Sequence, residues 1–210
     1  LNPITDEMIQ AAEKKGKHFL AEQLRKLQKE ALSERNMPYI NDKTDGDTTA
    51  LYEAADALFQ RPDIVQVLLE RGANPNMEDA ASDTVLGAAV SSTSISDKGL
   101  KTIELLLDAG ADLFGGKKGF GPLYSAIDNA DKDIRAFELI LSKMPNIIHT
   151  KDVNGNTALH YAVSLEKEKV IKFLLIDKKS KPNIVNKQNK TPKDLAKVKN
   201  KNIRALFGLP

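Results

Sequence analysis

The hexapeptide Thr49-Ala50-Leu51-Tyr52-Glu53-Ala54 comes back along the chain in altered form. The later versions are Thr84-Val85-Leu86-Gly87-Ala88-Ala89, Gly121-Pro122-Leu123-Tyr124-Ser125-Ala126, Thr157-Ala158-Leu159-His160-Tyr161-Ala162 and, most loosely, Thr191-Pro192-Lys193-Asp194-Leu195-Ala196. Their first residues are separated by 35, 37, 36 and 34 positions. Such a period constrains the fold more than any other feature. One unit of this size cannot bury its own apolar face, so neighbours must stack to complete a shared core.

A second motif follows the first in each unit. Ile64-Val65-Gln66-Val67-Leu68-Leu69-Glu70-Arg71-Gly72-Ala73-Asn74 is matched by Ile103–Asp112, and more weakly by Phe137–Leu141 and Val170–Leu175. The apolar spacing predicts a helix in each, and Gly72 and Gly110 stand where a helix end takes a left-handed residue. Thr at the head of the first motif caps free N–H groups, and Pro122 or Pro192 after it suits the first helical turn. Asp45-Gly46 and Asn154-Gly155 fall between units, where positive φ is expected.

Together the motifs resemble those of the ankyrin-repeat family, with its period of about 33 residues and its T-P-L-H-x-A pattern. The resemblance covers about residues 40–207. It implies an all-α ankyrin-repeat solenoid of stacked helix-turn-helix units joined by short extended return turns. Residues 1–43 are expected to form a diverged N-terminal capping repeat, with a helix from Thr5 through Lys15 and a second stripe of Phe19, Leu20, Leu24, Leu27 and Ala31. Residues 44–187 are expected to hold four ankyrin repeats, and 188–210 a C-terminal capping repeat. Two departures stand out: a Ser-rich insertion at Thr93–Gly99, and Lys143-Met144-Pro145-Asn146 in place of the usual Gly-Ala return. Both fall on loops, where solenoids tolerate change and partners make specific contacts.

Composition agrees with thin helices packed closely. The chain is 41% hydrophobic but only 5% aromatic, with no Trp, so its core is built of Leu, Ile, Val and Ala. It has no Cys, which excludes disulfides, thiolate nucleophiles and Cys-based zinc sites and suits a reducing, cytoplasmic compartment. No run reaches the roughly 18 apolar residues of a membrane span. The charged opening residues lack the apolar centre of a signal peptide. The start at Leu1 rather than Met is what an excised fragment would show. Net charge is +2, yet residues 151–210 carry 14 Lys plus Arg against 5 Asp plus Glu, leaving the first 150 residues at −7.

Familiar chemical motifs do not fit. Asn41–Asp47 looks like a calcium loop, but Lys43 stands where an oxygen ligand belongs and Tyr52 where the closing Glu belongs. Gly115–Gly121 lacks the order of a phosphate loop and follows no strand. His18, His149 and His160 offer no metal-ligand spacing. No cofactor, metal or catalytic residue is expected, and the chain reads as a non-enzyme.

The resemblance implies that His160 makes a structural hydrogen bond at a repeat junction. It also places a partner, a protein or peptide, on the concave face made by the turn tips and the exposed side of the first helices. The tip positions are Thr44, Asp45 and Asp47, then Ala80, Ala81 and Asp83, then Lys118 and Phe120, then Val153, Asn154 and Asn156. Asp56, Ser91, Ser92, Asp128, Asn129, Ser164 and Leu165 lie towards the inner-helix ends. Tyr52, Tyr124 and Tyr161 are expected to be partly exposed there, and Phe120 to be an anchor. The basic C-terminal repeats suggest an acidic partner, an acidic polymer or a phospholipid headgroup. The chain is expected to be monomeric, either free-standing or recruiting substrate for a larger enzyme. In style it resembles ankyrin proteins that intracellular bacteria export as effectors into the host-cell cytosol.

Overall fold

The computed structural model describes residues 2–29, 39–56, 58–91, 95–116 and 121–210. It is a solenoid of antiparallel helix pairs. The pairs are α1 (Asp6–Lys14) with α2 (His18–Lys29), α3 (Ala50–Ala55) with α4 (Pro62–Glu70), and α5 (Val85–Val90) with α6 (Asp97–Asp108). They continue as α7 (Pro122–Asn129) with α8 (Arg135–Lys143), α9 (Ala158–Ser164) with α10 (Glu168–Lys172), and α11 (Pro192–Ala196) with α12 (Lys201–Leu206). Helices α3, α5, α7, α9 and α11 stack into an inner layer, and α4, α6 and α8 form an outer row. The returns contribute only isolated bridges among the described residues, Lys43 to Thr49 and Glu78 to Thr84.

The first motif sets both capping and core. Thr49 and Thr84 accept the N–H of Tyr52 and Gly87 at 3.1 and 3.0 Å, each supplying a partner for an otherwise orphaned amide. Two positions after the cap, Leu51, Leu86, Leu123 and Leu159 are at most 1% exposed. Five positions after it, Ala54, Ala89, Ala126, Ala162 and Ala196 are buried, and their small size lets the helices approach. Lys193 takes the Leu position in the last unit and is only half-buried.

The turn before each inner-helix Thr cap also repeats. Thr44, Asp152 and Asn186 each accept, on a side-chain oxygen, the N–H groups two and four residues on, and Asp79 accepts that of Asp83. The residue two before each of these Thr caps is left-handed: Asp47, Ser82, Gly155 and Asn189. The expected Gly thus serves in the Asn154-Gly155 turn, whereas in the first turn the strain falls on Asp47 rather than Gly46.

Three local features go beyond the sequence reading. Helix α2, not α1, packs on α3, with the Leu20 N–H donating to Glu53 and Lys17 paired to Asp56 at 2.8 Å. The residues before α1 reach the end of α4 instead, where Asn2 donates to Glu70 and the buried Arg71 donates to the Asn2 carbonyl. The opening hairpin is therefore docked in reverse order. Residues 97–99 are helix rather than insertion, because Ser96 accepts the Gly99 N–H and starts α6 there. Finally, α10 continues as a π-helical turn at Phe173–Asp177. Twelve positions separate left-handed Gln60 from left-handed Gly72, but thirteen separate Glu166 from Lys179, and the π turn absorbs the extra residue. Ala31 of the second stripe lies outside the described residues.

Candidate partner-binding face

The inner helices stack into one continuous layer, and described turn tips are tied across its unit boundaries. The Lys187 N–H donates to the Asn154 carbonyl at 2.9 Å, Asn186 donates to the Asn156 side chain, and the Gly116 N–H donates to Glu78. His160 supplies a further tie. Its Nδ1 accepts the Thr157 N–H at 3.0 Å, which leaves the proton on Nε2, 3.1 Å from the Lys190 carbonyl. Burial holds His160 below its ordinary pKa. The junction bond expected of this residue is present.

At the first two tips, Asp45 is exposed, and Asp47 pairs with Lys43 at 2.9 Å. Thr44 is half-buried in its own turn. Tyr52 is half-buried and donates to Asp79 at 3.1 Å; burial first, then Asp83 and Asp79, pushes its pKa up. Asp83, which lies on the same turn as Asp79, is raised by burial and then by Asp79. A Cβ on Gly87 would come within 2.1 Å of the Asp83 carboxylate, so the missing side chain is what makes room for that group. Burial acts to raise Asp56, but the Leu58 N–H and the Lys17 ammonium outweigh it and hold the carboxyl low.

Further along, Ser91 is exposed, and Asn129 donates to the Val90 and Ser91 carbonyls, which spans two inner-helix ends. Asp128 pairs with Lys167 at 2.9 Å. Tyr124 is half-buried and meets Tyr161 edge-on at 5.2 Å. Tyr161 departs from expectation. It is only 6% exposed, and its hydroxyl donates to the buried Asp152 at 2.7 Å, so it braces the turn from beneath. Asn154 and Ser164 are exposed and Asn156 and Leu165 half-buried. Ser92, Lys118 and Phe120 lie outside the described residues.

The sequence reading overlooked Asp79 and the last tip, where Lys187 and Lys190 are exposed. The tip spacing from Thr191 back to Asn186, matching Thr157 back to Asp152, was the available signal. Away from this face, the altered return at Met144 leaves an open apolar hollow of about 420 Å³, lined by Leu107, Leu113, Phe114, Met144 and Ile147. Among the described residues, no cluster of three or more His, Asp or Glu is placed to hold a metal ion, and no helix is long and apolar enough to cross a membrane.

Comparison with known proteins agrees with this architecture. Residues 47–80 match the model of the ankyrin repeat and residues 89–186 that of three ankyrin repeats, together more than half of the chain. The structure is similar to EF0377, an ankyrin repeat protein, at 19% identity and a TM-score of 0.68, over 94% of this chain and 96% of that one. It is also similar to a chain from the complex of the predatory endopeptidase Bd0816 of Bdellovibrio bacteriovorus with the immunity protein Bd3460. There the identity is 24% and the TM-score 0.64, over 95% and 96% of the two chains. No curated protein matches the sequence.

Proposed function

We propose that this chain, which belongs to the ankyrin-repeat family, is a non-enzymatic module that holds a protein or peptide partner against its concave face. Ankyrin repeats are generally protein–protein interaction modules. The observation that carries the reading is the continuous layer of inner helices, with described tips bonded across its unit boundaries while Asp45, Ser91, Asn154 and Ser164 stay exposed along it. The similar chain from the endopeptidase–immunity protein complex belongs to a protein–protein complex. In this reading segments 1–43 and 188–210 cap the ends of four repeats, and the molecule acts as a monomer. Phe120 anchors the partner together with the exposed tip residues. The cytoplasm, or the host cytosol for an exported effector, is the proposed setting.

The test is site-specific photo-crosslinking in cell lysate. Crosslinkers at Asp45, Asn154 and Ser164 should trap the same partner, and crosslinkers at Lys172 and Ile176 on the outer side should not. Capture should weaken in Phe120→Ala and Asp56→Lys. Trapping from the outer positions alone would overturn the reading.

A further inference from the structure

The proposed groove is polarised along its length. The tip of the second repeat carries Glu78, Asp79 and Asp83, whereas the tip of the last unit carries Lys187 and Lys190. Among the described residues, no ion pair involves Asp79, Asp83, Lys187 or Lys190. Carboxylates of the last two units are engaged elsewhere. Asp152 holds its own turn amides and Tyr161, Glu166 takes Lys199 at 3.2 Å, and Asp194 takes Lys197 at 2.8 Å. The lysine tip is continuous with the proposed interface through the bond from Lys187 to Asn154.

We propose that Lys187 and Lys190 receive an acidic segment of a protein partner lying in the groove, and that the Glu78–Asp79–Asp83 tip sets its direction by repelling that segment. This inference rests on the concave-face reading. Helices pack roughly 8–10 Å apart, so tips three units apart stand roughly 25–30 Å from each other. That exceeds the Debye length of about 8 Å at physiological salt, so the two ends act independently on whatever lies between them. A uniform polyanion or a flat anionic membrane spanning the groove meets repulsion at the second tip. A protein segment with a local acidic run does not, and charge complementarity of this kind sets orientation more than affinity.

The probes are two labelled peptides of equal length on one Leu/Ser background, one with a run of Glu and the other with a run of Lys. Binding is followed by fluorescence polarisation and by amide shifts of the isotope-labelled protein at physiological salt. The Glu peptide should move residues 154–156 and 187–190. Lys187→Glu with Lys190→Glu should weaken it about tenfold, a difference of about 1.4 kcal/mol. The Gln double variant, which removes charge without adding repulsion, should show a smaller loss. Lys172→Glu with Lys179→Glu on the outer side should leave affinity within about twofold. An equal loss from the outer pair, equal binding of the Lys peptide, or tighter binding to duplex DNA or phosphatidylserine vesicles would overturn the proposal. Those results would leave the concave-face reading standing, because crosslinking tests it separately.

Discussion

At His160 a single side chain does three things: it accepts from its own cap, donates to the next turn and fills core space. Its pKa is held down by burial, so the folded state resists protonation. The stability this gives is present above the unfolded value of about 6.5 and is lost as pH falls through the depressed folded value. Unfolding by urea should therefore show a midpoint that drops on acidification in the native chain and drops less in His160→Gln. At pH 7, His160→Ala should cost about 1–2 kcal/mol for the lost cap and junction bond. Asp83 carries the opposite sign. Its pKa is raised by burial and by Asp79, so its contribution is full below the ordinary Asp value of about 3.9 and is lost as pH rises through the raised one. Asp83→Asn should raise Tm at pH 7, with the gap closing near pH 3; an unchanged Tm at neutral pH would contradict this. The role of His160 was legible in its motif position. The strain at Asp83 was not, since it arises from the space over Gly87 and the curl of the turn.

Helix α10 shows how an element absorbs a sequence irregularity. Its extra residue between left-handed Glu166 and Lys179 emerges as a π turn, which leaves Ile176 58% exposed. Deleting Ile176 should restore the spacing found between Gln60 and Gly72. Circular dichroism melting should show Tm held or raised, whereas deleting buried Val170 should lower it sharply. A loss of cooperative unfolding on deleting Ile176 would show that the π turn is needed. Helix existence could be read from the apolar stripes. The start of α6 could not, because Ser96 acts as a cap only once Gly99 is in place behind it.

Across the molecule, stability is a sum over interfaces between neighbouring units. Leu86 sits near the middle of the stack and is fully buried, so Leu86→Ala should cost about 2–5 kcal/mol by chemical denaturation. Lys193→Leu, at a half-buried position, should gain little apolar burial and shift the midpoint far less. Ion pairs such as Lys143 with Asp108 and Lys199 with Glu166 also bridge units, but exposed pairs contribute only about 0–1 kcal/mol each. Raising salt should accordingly shift the midpoint far less than the Leu86 substitution does.

The period, the Thr caps, the buried Leu and Ala positions and the left-handed helix ends all follow from the sequence, because they depend on bonds and contacts made within one repeated unit. The reversed docking of the opening hairpin and the burial of Tyr161 were decided by the tertiary structure. Each depends on which surface a neighbouring unit presents, and that is set only when the units stack.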